Sequence, residues 1–189
     1  MIHCLTSSYK KDFARAKALN QKLMKRNDIV HHLFVEQTEL HIFAPLIGHN
    51  KTLLHVKPDG GEGGLGRSGT MARFPCYLKM LEFLKDGDTY IQLDSDVILV
   101  DDEVIIPALV CAEDEIKGFY HPHYPTHMDR KETENSKFRF FSMSGMTICC
   151  SAEIFKRSIP KREDQMLAVI DLMLNEGFTP SEDVVLSFL

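Results

Sequence analysis

The stretch YIQLDSDVILVDD, residues 90–102, places two carboxylates, Asp94 and Asp96, at the end of an apolar run. Two carboxylates one residue apart can both bend toward a single ion just beyond such a run, and oxygen ligands are what a hard divalent cation requires. Alternation along an extended chain would put both on the same face. Asp101 and Asp102, beyond Val100, read instead as the start of the next turn. A second source of chemistry is the stretch between Pro58 and Pro75. There Gly60, Gly61, Gly63, Gly64, Gly66 and Gly69 permit backbone angles closed to other residues, and Arg67 and Arg73 stand just before a helix start. Backbone amides, a helix N-terminus and two guanidinium groups together make a diphosphate cradle. Near the C-terminal end, Glu182 and Asp183 follow Pro180 at an expected helix start. A carboxylate there suits helix capping and the helix dipole, and it becomes a general base only within hydrogen-bond reach of an acceptor proton. His121, His123 and His127 lie among prolines and a tyrosine, a composition that suits a loop better than a metal centre.

Bulk composition limits what those residues can serve. At 189 residues the chain suits one compact domain with a substantial core. Its 22 Lys and Arg against 27 Asp and Glu give a formal charge of −5, so no basic surface stands ready for a polynucleotide, whereas a single nucleotide remains compatible. Cys4, Cys76, Cys111, Cys149 and Cys150 show no CxxC spacing and read as reduced, packed thiols, which points to a cytoplasmic setting. No signal-peptide pattern or apolar run of about 18 residues occurs, so the chain is expected not to span a membrane; peripheral contact with one stays open.

The elements that must position these groups follow from periodicity. MIHCLTSS reads as a buried strand ending in hydroxyl residues. KDFARAKALNQKLMKRND puts Phe13, Ala16, Leu19, Leu23 and Met24 on one helical stripe. IVHHLFVEQTE, KTLLHVK and GDTYIQLDSDVIL read as three further strands, and Tyr77, Leu78, Leu81 and Leu84 as the inward face of a helix opened by Pro75. Strands alternating with helices predict an α/β domain with a mostly parallel sheet flanked by helices. Ligands of such sheets gather beyond the carboxyl ends of the strands, where Thr6 to Tyr9, Glu36 to Glu39 and Asp94 to Asp96 would converge.

The segment from the Pro75 helix through Leu84, the DGD turn and YIQLDSDVIL resembles the DxD region of GT-A glycosyltransferases. The resemblance implies that Asp96 ligates Mn2+ or Mg2+ and that Asp94 contacts the metal shell, the ribose or the sugar. FRFFSMSGMTICCSAEIFKR resembles the family's later turn, strand and helix, which implies Ser142, Ser144 and Gly145 beside the donor sugar. GFTPSEDVVLSFL resembles the acidic element of inverting members, which implies Asp183, with Glu182 beside it, as the base taking the acceptor proton. CLTSSYKKDFARAKALNQKL resembles the family's first strand, turn and helix. Thr6, Ser8 and Tyr9 would then lie near base and ribose, Tyr9 stacking on a uracil or guanine, with Glu36 also in reach. His123, Tyr124 and Arg130 would help shape an acceptor pocket. The implied partners are a UDP- or GDP-sugar donor and a glycan, lipid-linked or small-molecule acceptor. Residues 1–100 would form the nucleotide-binding half of a single domain and 101–189 the acceptor-side half. GT-A enzymes often draw a further metal ligand from near the C-terminus, and no histidine follows His127, so that ligand is expected from water or phosphate, or the chain is a C-terminally shortened core.

Other resemblances are weaker. GLGRSGTMARFPCYLK loosely resembles the signature of sugar nucleotidyltransferases, but it follows some sixty residues of other structure and Pro75 lacks the lysine after it. LDSDVILVDDE resembles the first motif of haloacid-dehalogenase-type phosphatases, which normally opens the fold near the N-terminus. A noncatalytic nucleotide-sugar-binding module is the third alternative, because a fold does not fix a function.

Overall fold

The computed structural model describes residues 1–48, 51–58, 72–99, 102–118 and 147–176. Strand β1 (Ile2–Ser7) leads through a 3-10 turn at Lys10–Asp12 into helix α1 (Phe13–Leu23). The helical spacing sets its buried stripe of Ala16, Leu19 and Leu23, with Phe13 and Met24 partly buried at its ends. Strand β2 (Ile29–Val35) stops short of the expected run, because its ladder with the next strand ends at the pair Val35 and Val56. Past it, Gln37–Glu39 winds into a 3-10 turn, followed by a short helix α2 (Leu40–Phe43) and a further 3-10 turn at Ala44–Gly48.

Strand β3 (Thr52–Val56), helix α3 (Phe74–Met80) and strand β4 (Thr89–Leu93) come next. Pro75 occupies the first turn of α3, where its missing N–H is harmless. Tyr77 is buried and Leu78 partly so on the inward face of α3, but the helix stops at Met80, earlier than the spacing predicts, and Leu84, buried, and Leu81, partly buried, join the same core from the segment after it. The turn into β4 uses Gly87 at φ 83, a left-handed conformation that a side chain would strain. Helix α4 (Asp102–Leu109), strand β5 (Ile116–Gly118), strand β6 (Thr147–Ser151), helix α5 (Ala152–Ser158) and helix α6 (Glu163–Asn175) complete the described elements. Asp102 thus begins a helix.

The sheet order is β3-β2-β1-β4-β6-β5, with β3, β2, β1 and β4 parallel and β6 antiparallel to both of its neighbours. Successive strand residues face opposite layers. Leu5, Phe34, Tyr90 and Cys150 pack with Phe74, Tyr77 and Met80 of α3, Phe155 of α5 and Met166 and Ile170 of α6. Ile2, Cys4, Ile29, Ile91, Leu93 and Cys149 pack on the other side with Leu19 and Leu23 of α1 and Ile106 and Leu109 of α4. The sheet is therefore sandwiched between two helical layers. All five cysteines carry free thiols, and burial pushes those of Cys4, Cys149 and Cys150 up to about 12, so they stay protonated and unreactive. Among the described residues no helix is long and apolar enough to cross a membrane.

Candidate active site

Because β1 to β4 run parallel, their carboxyl ends open on one rim. Tyr9 follows β1, Glu36 follows β2, Lys57 follows β3 and Asp94 follows β4. Lys57 ties three of these exits together: its Nζ lies 3.2 Å from the centroid of the Tyr9 ring and 3.5 Å from Glu36 Oε1. That second distance makes an ion pair rather than a formed hydrogen bond. Burial pulls the Lys57 ammonium below its usual range, and the Glu36 carboxylate opposes the shift. Burial pushes the Tyr9 phenol up, Glu36 adds to the effect and Arg73 counters it, so Tyr9 presents a neutral hydroxyl.

At the β4 exit, Arg73 Nη2 meets Asp94 Oδ1 at 2.6 Å, with the two side chains 17% and 18% exposed. Arg73 is the residue before α3, so the helix start aims its guanidinium at the strand end. Burial raises the Asp94 carboxyl, Arg73 pulls it back, and the nearby negative charge of Asp96 raises it again. Charge is thus crowded at this point, and a cation there would relieve it. The two aspartates do not alternate along a strand as the sequence suggested. The strand ends at Leu93, and Val97 N donates to Asp94 O at 3.0 Å, closing a turn in which Ser95 is buried and Asp96 is exposed. The turn, and not the pleat, sets their relative direction.

Thr6 and Ser8 lie deeper than a direct contact role requires. Thr6 is fully buried, and its hydroxyl sits 3.0 Å from His31 Nε2. The other ring nitrogen of His31 lies 2.7 Å from Asn20 Oδ1, which also accepts from Thr52 Oγ1 at 2.8 Å. Asn20 Oδ1 is an acceptor, so His31 carries its proton on Nδ1 and takes the Thr6 hydroxyl at Nε2. Burial holds this imidazole at about 3 and keeps it neutral. Thr6 therefore braces the end of β1 from within the core. Ser8 is also fully buried; its amide donates to Phe34 O at 2.9 Å, while its hydroxyl has no hydrogen-bond partner among the described residues.

The rim thus gathers Tyr9, Glu36, Arg73, Asp94 and Asp96. Arg67, Ser142, Ser144, Gly145, Glu182 and Asp183, with His121, His123, His127, Tyr124 and Arg130, lie outside the described residues. Lys57 is the member that sequence reasoning missed. The signal available was positional: a lysine directly after the third strand stands beside the acid directly after the second once Val35 pairs with Val56.

No protein-family model and no curated protein matches the sequence. Solved structures do match the fold. The galactosyltransferase LgtC, solved with donor and acceptor sugar analogues, superposes with a TM-score of 0.66 at 12% identity, over 97% of this chain and 69% of LgtC. The fold is that of GT-A glycosyltransferases. The glycosyltransferase GlyE of Streptococcus pneumoniae TIGR4 matches this GT-A domain with a TM-score of 0.59 at 11% identity, over 100% of this chain but 43% of GlyE. Glucosyl-3-phosphoglycerate synthase of Mycobacterium tuberculosis, solved with Mn2+, UDP and glucosyl-3-phosphoglycerate, matches with a TM-score of 0.51 at 14% identity, over 94% and 66% of the two chains. Within the GT-A domain the aspartate pair leaves the fourth strand, whereas the phosphatase reading wants its acids near the N-terminus.

Proposed function

We infer that this GT-A domain transfers a sugar from a nucleotide-diphosphate donor to an acceptor hydroxyl. The observation that carries the reading is the ion pair of Arg73 with Asp94 beside the exposed Asp96, at the carboxyl end of a parallel strand. That rim is where α/β sheets hold nucleotides.

Asp94 and Asp96 fit a hard divalent cation, Mn2+ or Mg2+, because both offer carboxylate oxygens at one strand exit, where burial raises the Asp94 carboxyl and the Asp96 charge adds to it. Among the described residues no cluster of three or more His, Cys, Asp or Glu is placed to hold a metal, so donor phosphate oxygens are assigned the remaining positions. When bound, the cation would neutralise charge on the diphosphate leaving group. Arg73 fixes the orientation of Asp94 and adds positive charge where that leaving group would lie. Tyr9 offers a ring held from below by Lys57, a platform for the base, and Glu36 offers an acceptor at its edge. Arg67 is assigned to the donor's diphosphate as part of the Gly/Arg cradle, Ser144 and Gly145 to its sugar by family resemblance, and residues 1–100 to its nucleotide. Asp183, with Glu182 beside it, is assigned as the base that takes the acceptor proton, which presumes inversion.

A panel of UDP- and GDP-sugars with and without Mn2+, read by thermal unfolding and by release of nucleoside diphosphate, tests the reading. Stabilisation that needs both ligand and Mn2+, together with diphosphate release on adding an acceptor, is expected. Stabilisation by none of the panel, or cleavage of generic phosphate esters in place of sugar transfer, would overturn it.

A further inference from the structure

Three histidines line up across the sheet on the face that packs against α3. Alternation places His3 of β1, His32 of β2 and His55 of β3 on the same face as Leu5 and Phe34. His3 Nδ1 lies 2.9 Å from His32 Nε2, and His32 Nδ1 lies 3.1 Å from His55 Nε2. The rings stack with centroids 5.2 Å apart at each step, and Phe83 packs on both His32 and His55, at 4.9 and 5.2 Å. At the other end Asp88 Oδ2 stands 3.3 Å from His3 Nε2. Burial pushes the Asp88 carboxyl up. The Lys85 amide, which donates to Oδ2 at 2.8 Å, and the Met1 amino group, 3.0 Å from Oδ1, outweigh burial and keep Asp88 ionised.

An ionised carboxylate only accepts, so the proton directions are set from that end. His3 carries its proton on Nε2 and accepts at Nδ1 from His32 Nε2, and His32 accepts at Nδ1 from His55 Nε2. A second proton on His3 or His32 would set two N–H groups against each other. His55 alone can take one, at Nδ1 beyond the end of the relay. Its surroundings resist that proton: burial first and then the Lys79 ammonium pull the imidazole below its usual range, with Glu82 opposing. Burial lowers His3 as well, with the Met1 amino group and Lys85 adding to it and Asp88 opposing. Burial, helped by His3, His55 and His31, holds His32 at about 3.

Strand β3 is the edge of the sheet and pairs, among the described strands, with β2 alone. Lys57 follows it directly, tied to β2 by its amide, which donates to Val35 O at 2.8 Å. If β3 opens, His55 meets water and binds a proton with its ordinary pKa of about 6.5. The closed form binds that proton less readily. Closure is therefore favoured above about 6.5 and weakens as the pH falls below it.

We propose that the relay of Asp88, His3, His32 and His55 is a pH-sensitive latch that holds edge strand β3, and Lys57 with it, in place while all three rings are neutral. A looser Tyr9 and Glu36 at acid pH, and so a weaker donor site, is the consequence that rests on the sugar-transfer reading. The latch itself does not.

Native-state hydrogen exchange of the 189-residue chain, corrected for intrinsic rates, tests it. Between pH 7 and 5.5, protection of the β3 and Lys57 amides should drop about five- to tenfold, and further than that of β1 and β4 inside the sheet. His55→Gln keeps a donor toward His32 Nδ1 but takes up no proton, and should abolish that excess drop. Circular dichroism at pH 7 checks that this variant is folded. If it is not, Lys79→Met at an exposed position replaces it and should shrink the excess drop roughly twofold. Imidazole 15N shifts at pH 7 should show Nε2–H on His3, His32 and His55. A proton on His32 Nδ1, β3 protection that does not change with pH, a drop shared equally by all strands, or an excess drop that the variant leaves unchanged overturns the proposal.

Discussion

The Lys57 ammonium lies 3.2 Å from the centroid of the Tyr9 ring, and the lysine side chain is only 4% exposed. A cation so placed has lost most of its water and is held by a π-face and by one carboxylate, Glu36, at 3.5 Å. Replacing it with methionine removes that desolvation penalty along with both attractions. Lys57→Met is therefore expected to change folding stability by less than about 1 kcal/mol. It also releases Tyr9 and Glu36 from their common anchor, so affinity for UDP or GDP should fall roughly tenfold, or about 1.4 kcal/mol. Urea unfolding and calorimetric titration separate the two effects. A large loss of stability with unchanged affinity would make Lys57 a core residue and nothing more.

Arg73 and Asp94 present the opposite case, since each largely replaces water for the other. Arg73→Leu leaves a mostly buried carboxylate without that counter-charge and is expected to destabilise the fold by roughly 2–4 kcal/mol. The double change Arg73→Leu with Asp94→Leu should regain much of that loss. Arg73 makes other contacts besides this pair, so the recovery should be incomplete. A double-mutant cycle in urea measures the coupling. Additive effects would show that the pair contributes little.

His31 and His32 are fully buried, and burial holds both imidazoles at about 3. In the unfolded chain they titrate near 6.5. Between those values the unfolded state binds more protons, so stability rises with pH across this window and levels off above about 7. Each group contributes a slope of up to about 1.4 kcal/mol per pH unit, and lowering the pH from 7.5 to 5 should remove up to about 4 kcal/mol in all. His31→Gln, which keeps a hydrogen-bonding end near Asn20, should flatten the profile by about half. Unfolding free energies measured across that range check the sign. A flat profile would mean that the two rings are protonated in the folded state as well.

Much of this arrangement was legible because it is local. The stripe of α1, Pro75 opening α3 and the apolar run of β4 are written in residue spacing, and spacing is what the elements obeyed. The placement of β6 was not legible. It lies antiparallel between β4 and β5 through pairs such as Tyr90 with Cys150, sixty residues apart, which no local pattern encodes. Glu36 and Asp94 were readable as acids at strand ends. Their partners were not paired with them in the sequence, because Lys57 and Arg73 become buried only when neighbouring strands and α3 close around them. Thr6 misled in a different way: its position at the rim was right, but a hydroxyl beside a buried histidine turns inward.

The roles assigned to Asp96 and Asp183 separate under substitution. Asp96→Asn removes a full negative charge from an exposed carboxylate proposed to hold the cation, so Mn2+-dependent donor binding and turnover should fall together, turnover by about a hundredfold or more. Asp183→Asn touches no proposed metal ligand. Donor binding with Mn2+ should therefore survive, while transfer falls about a hundredfold through loss of the base. The two readouts must be taken on the same preparations, with donor affinity by calorimetry and transfer by nucleoside diphosphate release. If Asp183→Asn transfers normally while Asp96→Asn does not, the base assignment fails and the metal assignment stands. If Asp96→Asn still binds donor in a Mn2+-dependent way, the cation is held elsewhere, and the crowded charge beside Arg73 has a purely structural cause.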